Sequence, residues 1–319
     1  MEKSSERIRF ASAPVSWGVQ DERGLAWEQP YESILAEIAS AGYTGTELGP
    51  YGYFPTDSGI LNESVNRFGL TLLSSFVPVP LTDPSRTKTT IAHVRQVGAL
   101  LSALGAKLLV LADCQTPQRQ QIAGHVPVNG SKSLSLAQWK QVGAVIREVE
   151  NAAAEFGLGV VFHPHVATFV ETPLETECLF DALASSNSRV GLCLDTGHCV
   201  YGGGDPIEEA RKYRPALKYV HIKDVDTRVL GEARHNKLDF EQAVGAGVFS
   251  RIGSGCIDFK NFFRFLAESA YSGWAVVEQD VIFGKTTEPP LDSMRTSLTY
   301  LKDLVSNLES VSQPAAMRA

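Results

Sequence analysis

Eight short apolar runs, rich in β-branched residues, recur along the chain, and helical patterns separate them. The runs cover residues 8–15, 45–48, 71–77, 107–112, 159–163, 190–195, 217–222 and 274–278. Several are apolar on both faces, as parallel strands sandwiched by helices must be. Between them, 31–41 places Ile34, Leu35, Ile38 and Ala41 on one stripe. Segment 86–104 does the same with Val94, Val97, Leu101 and Leu104, and 135–156 with Val142, Val145, Ile146, Val149 and Phe156. Further helical segments follow at 174–184, 206–213, 259–270 and 291–308. Gly42, Gly69, Gly105, Gly157 and Gly273 stand at segment ends, where a left-handed residue is wanted.

Eight strand–helix units imply an α/β fold, and a closed (β/α)8 TIM barrel accommodates all of them in a single domain, 1–319, with its core at about 8–308. An open doubly wound sheet is the alternative. That fold places a glycine-rich phosphate loop after its first strand. Here the position reads Ala13-Pro14-Val15-Ser16-Trp17-Gly18, which is no such loop. The tail 311–319 reads as frayed.

Charge and composition narrow the function. The 29 basic against 36 acidic side chains leave a formal charge of −7, which argues against a nucleic-acid surface built on clustered Lys and Arg. No apolar stretch approaches the length of a membrane span. The charged start shows no secretory pattern, and the five scattered cysteines form no CxxC pair. Both features lead us to expect a cytoplasmic protein with reduced thiols. A homo-oligomer remains open.

In a barrel, chemistry gathers at the carboxyl ends of the strands. Those ends carry Glu47, Asp113, His163, Asp195, His221 and Glu278. A lone polar residue there is ordinarily a cap or a turn former. Four on successive strands, His163, Asp195, His221 and Glu278, point to a shared site. By strand alternation, an inward Asp195 takes Cys193 and Gly191 with it and turns Leu192 and Leu194 to the helices, and an inward Glu278 takes Val276. Two carboxylates with imidazoles suit a divalent cation, Mn or Co first, with Zn, Fe or Mg as further options. Such an ion acts as a Lewis acid on a ketone. His165 and His198 either reach the substrate or serve as loop and cap residues. His93 and His235 read as surface residues. Tyr51, Tyr53 and Phe54 either wall a ring-shaped substrate or pack a loop. The cysteines read as core. Gly202-Gly203-Gly204 reads as a turn into a helix capped by Asp205. The long connections 113–132 and 224–256 read as structureless loops, either lids or solvated excursions or subunit contacts, the latter segment supplying Arg228, Arg234, His235, Lys237 and Arg251.

Ordered motifs strengthen the barrel reading: Gly42-Tyr43-Thr44-Gly45-Thr46-Glu47-Leu48, Leu194-Asp195-Thr196-Gly197-His198, Val220-His221-Ile222-Lys223-Asp224, Gly253-Ser254-Gly255-Cys256-Ile257-Asp258-Phe259 and Val277-Glu278. On these the chain resembles the sugar phosphate isomerase/epimerase superfamily, the xylose isomerase-like barrels, from about Phe10 to Leu304. Within it, the strand-one motif and Phe162-His163-Pro164-His165-Val166-Ala167-Thr168 are most similar to the myo-inosose-2 dehydratase subfamily.

The resemblance implies that Asp195, His221 and Glu278 ligate a metal, joined by His163, which stands where epimerases carry a glutamate. It implies a lyase of carbohydrate metabolism, in inositol catabolism, that dehydrates a cyclic polyol ketone, 2-keto-myo-inositol, to a dione. Loss of the second carboxylate removes the symmetric acid/base pair of a 3-epimerase, whereas a dehydratase needs one base, one acid and an electrophile. Glu278 or His198 is expected to take the α-proton, and His163, His165 or Lys223 to assist the departing hydroxyl. Glu47, Trp17 and Arg251 are the expected substrate contacts. A ketose isomerase or 3-epimerase using the same site is the alternative; a DNA endonuclease and a non-catalytic binding barrel are more distant ones.

Overall fold

The computed structural model describes residues 8–20, 27, 29–286 and 288–312. The strands are β1 (Ile8–Ser12), β2 (Gly45–Thr46), β3 (Thr71–Leu72), β4 (Phe76–Val79), β5 (Leu108–Asp113), β6 (Gly159–Phe162), β7 (Gly191–Asp195), β8 (Leu217–Ile222), β9 (Asp224–Val225), β10 (Phe249–Ser250) and β11 (Gly273–Val277). Nine of them form one parallel sheet in the order β3-β2-β1-β11-β8-β7-β6-β5-β4. Its two ends, β3 and β4, are halves of a single barrel strand interrupted at Leu73, Ser74 and Ser75. The gap is bridged where the Leu48 amide donates to the Ser74 carbonyl and the Val110 amide to the Ser75 carbonyl. Counting the split strand once closes an eight-stranded barrel, as expected.

The helices are α1 (Tyr31–Ala41), α2 (Ser58–Arg67), α3 (Thr87–Ala103), α4 (Pro117–Gln120), α5 (Leu136–Ala154), α6 (Pro173–Ser185), α7 (Thr196–Tyr201), α8 (Pro206–Lys212), α9 (Thr227–Asn236), α10 (Phe240–Gly245), α11 (Phe259–Glu268) and α12 (Pro290–Ser312). Their ends follow local chemistry. Gly42 closes α1 at φ 99°, a left-handed conformation that glycine adopts without strain. Ser135 and Thr172 open α5 and α6 with reciprocal capping boxes. Asp205 caps α8 by accepting from the amides of Ile207 and Glu208, as its place after the glycine run suggested. On α11 the stripe Phe259, Phe262, Phe263 and Leu266 is fully buried; each such side chain stabilises the barrel wall by about 1.5–3 kcal/mol.

Alternation sorts the side chains as the sequence implied. Ala11, Ala13, Leu73, Val110, Val161, Cys193, Tyr219 and Val276 form a cluster inside the barrel, while Leu192 and Leu194 join the outer core under the helices. All five cysteines are free. A register shift beside Cys193 resets the β7–β8 pairing so that Asp195 stands opposite His221.

Three readings change. Segment 224–256 is not structureless: β9 and β10 pair as an antiparallel ribbon around α9 and α10, and Val225, Val229, Leu230, Phe240, Val244 and Phe249 build a second apolar cluster. Helix α2, which the sequence reading passed over, is held by Asp57 capping Ile60 and by buried Leu61 and Val65. Of the tail expected to fray, 311–312 complete α12 and 313–319 lie outside the described residues. No described helix is long and apolar enough to cross a membrane.

Candidate active site

The carboxyl ends of β6, β7, β8 and β11 deliver four polar side chains to one point at the barrel mouth. His163 and Glu278 lie one residue past their strands, still held in the ladder by amide bonds to the carbonyls of Leu111 (2.8 Å) and Ile222 (3.0 Å). His163 Nε2 is 3.3 Å from Asp195 Oδ2, that oxygen is 3.8 Å from His221 Nδ1, and His221 Nδ1 is 3.1 Å from Glu278 Oε2. The four converge although 115 positions separate the first from the last.

Strand alternation continues past β8 and β11 and adds Lys223 and Asp280. Lys223 Nζ lies 2.8 Å from Asp195 Oδ2, 2.5 Å from Glu278 Oε2 and 3.2 Å from Asp280 Oδ1, all four side chains being buried. The ammonium thus sits at the centre of three carboxylates. Asp195 divides its oxygens between two tasks: Oδ1 accepts the His198 amide and caps α7, while Oδ2 faces Lys223 and His163.

Burial and charge act oppositely on these groups. Burial alone would raise Asp195, but Lys223 and the neighbouring imidazoles hold it well below the ordinary carboxylate range. Glu278, raised by burial and lowered by His221 and Lys223, settles at about 2. Asp280 is likewise depressed against burial by Lys223 and His198. Burial works against the Lys223 ammonium, yet Asp195, Asp280 and Glu278 lift it well above its ordinary value. His221 is raised against burial by Cys193, Glu278 and Glu47. His163 and His165 are lowered, mainly by burial, and remain neutral.

The donor set fits a divalent transition ion. Among the described residues, three groups have donor atoms that lie within 4.8 Å of one another: Glu47, His221 and Glu278; His163, Asp195 and His198; and His165, His198 and Asp280. The expected quartet is split between the first two, joined through Asp195 Oδ2. His221 Nδ1 is buried without a hydrogen-bond partner while facing two carboxylates, an arrangement that suits a metal-ligating nitrogen.

Above this floor opens a cavity of about 440 Å3. Glu47, Asp113, His163, His165, His221, Lys223, Glu278 and Asp280 give it a polar base, and Phe76, Pro78, Val15, Val19, Phe240 and Val244 an apolar wall. His165 reaches it from the loop after β6, its ring 3.9 Å from that of His198. Asp113 joins the base while accepting the Leu81 and Phe169 amides; burial pushes its carboxyl up to about 6.

Several expectations are corrected. His198 does not line the cavity; it lies behind His165, with Nε2 3.4 Å from Asp280. Trp17 is turned inward by a 3-10 turn and donates to Glu37 at 2.7 Å, away from the cavity. Arg251 pairs at 3.1 Å with Glu288 on the surface. Tyr53 and Phe54 are buried in a loop, and Tyr51 packs on His93 rather than walling a substrate. His235 is exposed, as its surface reading implied. Conversely, sequence reasoning missed Asp280, whose two-residue spacing from Glu278 was its available signal. It also missed Gln20, Gln115, Gln120 and Phe240, which carry no signal of their own.

A closed (β/α)8 barrel with a deep polar cavity at the carboxyl ends of its strands has the architecture of a barrel enzyme. More narrowly, the chain belongs to the xylose isomerase-like TIM barrel family, whose model matches residues 35–304. It is 32% identical over 280 residues to the inosose dehydratase of Geobacillus kaustophilus strain HTA426, covering 88% of this chain and 90% of that one. It is also 32% identical over 314 residues to the rhizopine catabolism protein MocC of Rhizobium meliloti, covering 98% and 90%. In shape it matches the crystal structure of the IOLI protein with a bound zinc atom at TM-score 0.67 and 17% identity, covering 94% of this chain and 99% of that one.

Proposed function

We propose that the protein is a metal-dependent hydro-lyase of inositol catabolism that removes water from 2-keto-myo-inositol. The observation that carries this reading is the asymmetric chemistry of the floor. One ammonium caged by three carboxylates stands beside neutral imidazoles, where epimerisation calls for two opposed carboxylates. The inosose dehydratase relatives at 32% identity support the same substrate. So does the cavity lining. Lys223 is the one basic side chain among its described Lys and Arg residues, and it is already committed to carboxylates. An uncharged polyol suits that lining better than a sugar phosphate.

His163, Asp195, His221 and Glu278 would hold the cation, which when bound would polarise the ketone and favour the enolate. His165 faces the cavity with a neutral ring. Its Nδ1 is spent on the Val166 carbonyl at 2.7 Å, which leaves Nε2 to take the proton α to the ketone. Lys223 gives its proton to the β-hydroxyl as the C–O bond breaks, so water leaves and a C=C bond forms. An ammonium held above its ordinary value still transfers a proton downhill to a departing hydroxide. His165 then releases its proton to solvent, Lys223 takes one up from solvent, and the enol relaxes to the dione. Phe76, against both His163 and His165, keeps the imidazoles in place.

The test is incubation of purified protein with 2-keto-myo-inositol and Co2+ or Mn2+. Conjugated-dione absorbance should grow with the cation and vanish with chelator. Solvent deuterium entering the ketone with no water lost would instead establish an epimerase.

A further inference from the structure

A line of polar side chains runs from the barrel interior to the candidate ligand His221. Ser74 Oγ donates to Glu47 Oε1 at 2.9 Å, and the same oxygen is 3.0 Å from His221 Nε2. Behind Ser74, Tyr219 Oη lies 3.1 Å from Ser74 Oγ. A serine hydroxyl has a single hydrogen, so with that hydrogen on Glu47 the Tyr219 hydroxyl is the donor to Ser74. All four side chains are buried, at most 2% exposed. Ser74 sits in the break between β3 and β4, where the split strand lets its side chain turn to the barrel mouth.

A carboxylate oxygen only accepts, so His221 Nε2 must carry the hydrogen of the Glu47 contact. This holds whether the ring is neutral or cationic. The second nitrogen, Nδ1, is then the one left to face Glu278 at 3.1 Å and Asp195 at 3.8 Å, and it has no hydrogen-bond partner. Tyr219 also packs its ring 5.6 Å from that of His221, so the same residue braces the imidazole from two directions.

We propose that Glu47 is a positioning residue rather than a substrate contact. Braced by Ser74 and Tyr219, it keeps the hydrogen on His221 Nε2 and so aims the Nδ1 lone pair at the corner formed by Asp195 and Glu278. This deepens the reading of the floor as a metal centre and rests on it. Carboxylates in this relation to a ligand histidine fix its tautomer and raise its basicity; removing one typically costs 10–100-fold in cation affinity. Glu47 Oε1 already receives two donors, so little of that oxygen is left for a substrate hydroxyl.

Two measurements on the full chain test the proposal. In chelated, nitrogen-15-labelled protein, His221 should show a hydrogen on Nε2, shifted downfield and protected from exchange. E47A should lose that signature, whereas E47Q, which retains an acceptor oxygen, should keep the hydrogen in place. In titrations with Co2+ alone, E47A should bind about 10–100-fold more weakly than the parent. E47Q and S74A should fall between the two. Finding no hydrogen on Nε2 in the parent would overturn the proposal, as would Co2+ affinities of E47A and S74A within twofold of the parent. Should E47A not fold, parent-like affinity in both E47Q and S74A overturns it equally. A parent that shows the Nε2 hydrogen but takes up no Co2+ would refute the metal centre while supporting the hold of Glu47 on the ring.

Discussion

Replacing Lys223 by Met removes the cation that three buried carboxylates share. The side chains are close in length, so the change is mainly electrostatic. Lys223 Nζ is 2.8 Å from Asp195, 2.5 Å from Glu278 and 3.2 Å from Asp280. Removing one partner of a buried charge cluster costs about 3–5 kcal/mol. The depression of Glu278, driven first by His221 and then by Lys223, gives a figure for the two together. Its fall from 4.5 to about 2 corresponds to about 3 kcal/mol, the same order. At about 2 °C per kcal/mol for a chain of this size, chelated K223M should melt about 6–10 °C below the parent at pH 7. The pH dependence has a definite sign. A depressed carboxylate stabilises the fold above its unfolded value of 4.5 and loses that contribution as pH falls toward 2. K223M keeps the larger contribution of His221 but lacks that of Lys223, so the gap in melting temperature should narrow from pH 7 to pH 4. Calorimetry in chelator across this range is the assay. A gap below about 2 °C at pH 7, or one that widens on acidification, would refute the view that Lys223 organises the carboxylates.

Three further outcomes follow from the same geometry. H165Q should lower turnover by about 10²–10⁴-fold. H198Q, one layer behind, should lower it less, and the reverse order in steady-state assays would make His198 the base. F240L removes an aromatic wall whose ring centroid is 5.6 Å from that of His165, so KM should rise about tenfold with kcat nearly unchanged; an unchanged KM would remove Phe240 from the substrate contacts. R251A breaks a half-exposed surface pair with Glu288, so stability should change by less than about 1 kcal/mol and kcat/KM by less than twofold. A tenfold loss of kcat/KM would return Arg251 to the substrate.

The strands were legible because a parallel strand covered on both faces is a continuous apolar run, and its polar terminus breaks the run visibly. Val-Val-Phe-His163 and Ala-Val-Val-Glu278 show this. What stayed hidden depends on contacts between distant segments. Helices α9 and α10 are short, and the cluster that holds them draws on Ala123, Val166 and Tyr201 from three other connections. A period search over 224–256 cannot register those partners. Asp280 lies beyond the last apolar residue, so only the assumption that alternation continues past the strand would have found it. The split at Ser74 reads as unbroken strand, because two serines in a β pattern do not announce a break. Trp17 was misassigned because its inward turn is set by Pro14 and a left-handed Gly18, local geometry that a motif match overlooks.

The buried charges of the floor favour binding of a divalent cation. Asp195, Glu278 and Asp280 are each held in the ionised range, and Lys223 is held charged among them. With His163 and His165 neutral and His221 deprotonated at Nδ1 to act as a ligand, these groups leave two negative charges, and the Glu47 carboxylate beside His221 adds a third, an excess that a divalent cation offsets. K223M leaves one negative charge more. Chelated K223M should therefore be the less stable protein and yet bind Co2+ more tightly than the parent, with more of its lost melting temperature restored at saturating Co2+. It should still fail to turn over inosose, because the ammonium that accompanies the leaving hydroxyl is gone. A site in which Lys223 served only to brace the barrel would show weaker Co2+ binding as the floor loosened. Titrating both proteins with Co2+ and following heat, melting temperature and turnover in the same samples separates these two accounts.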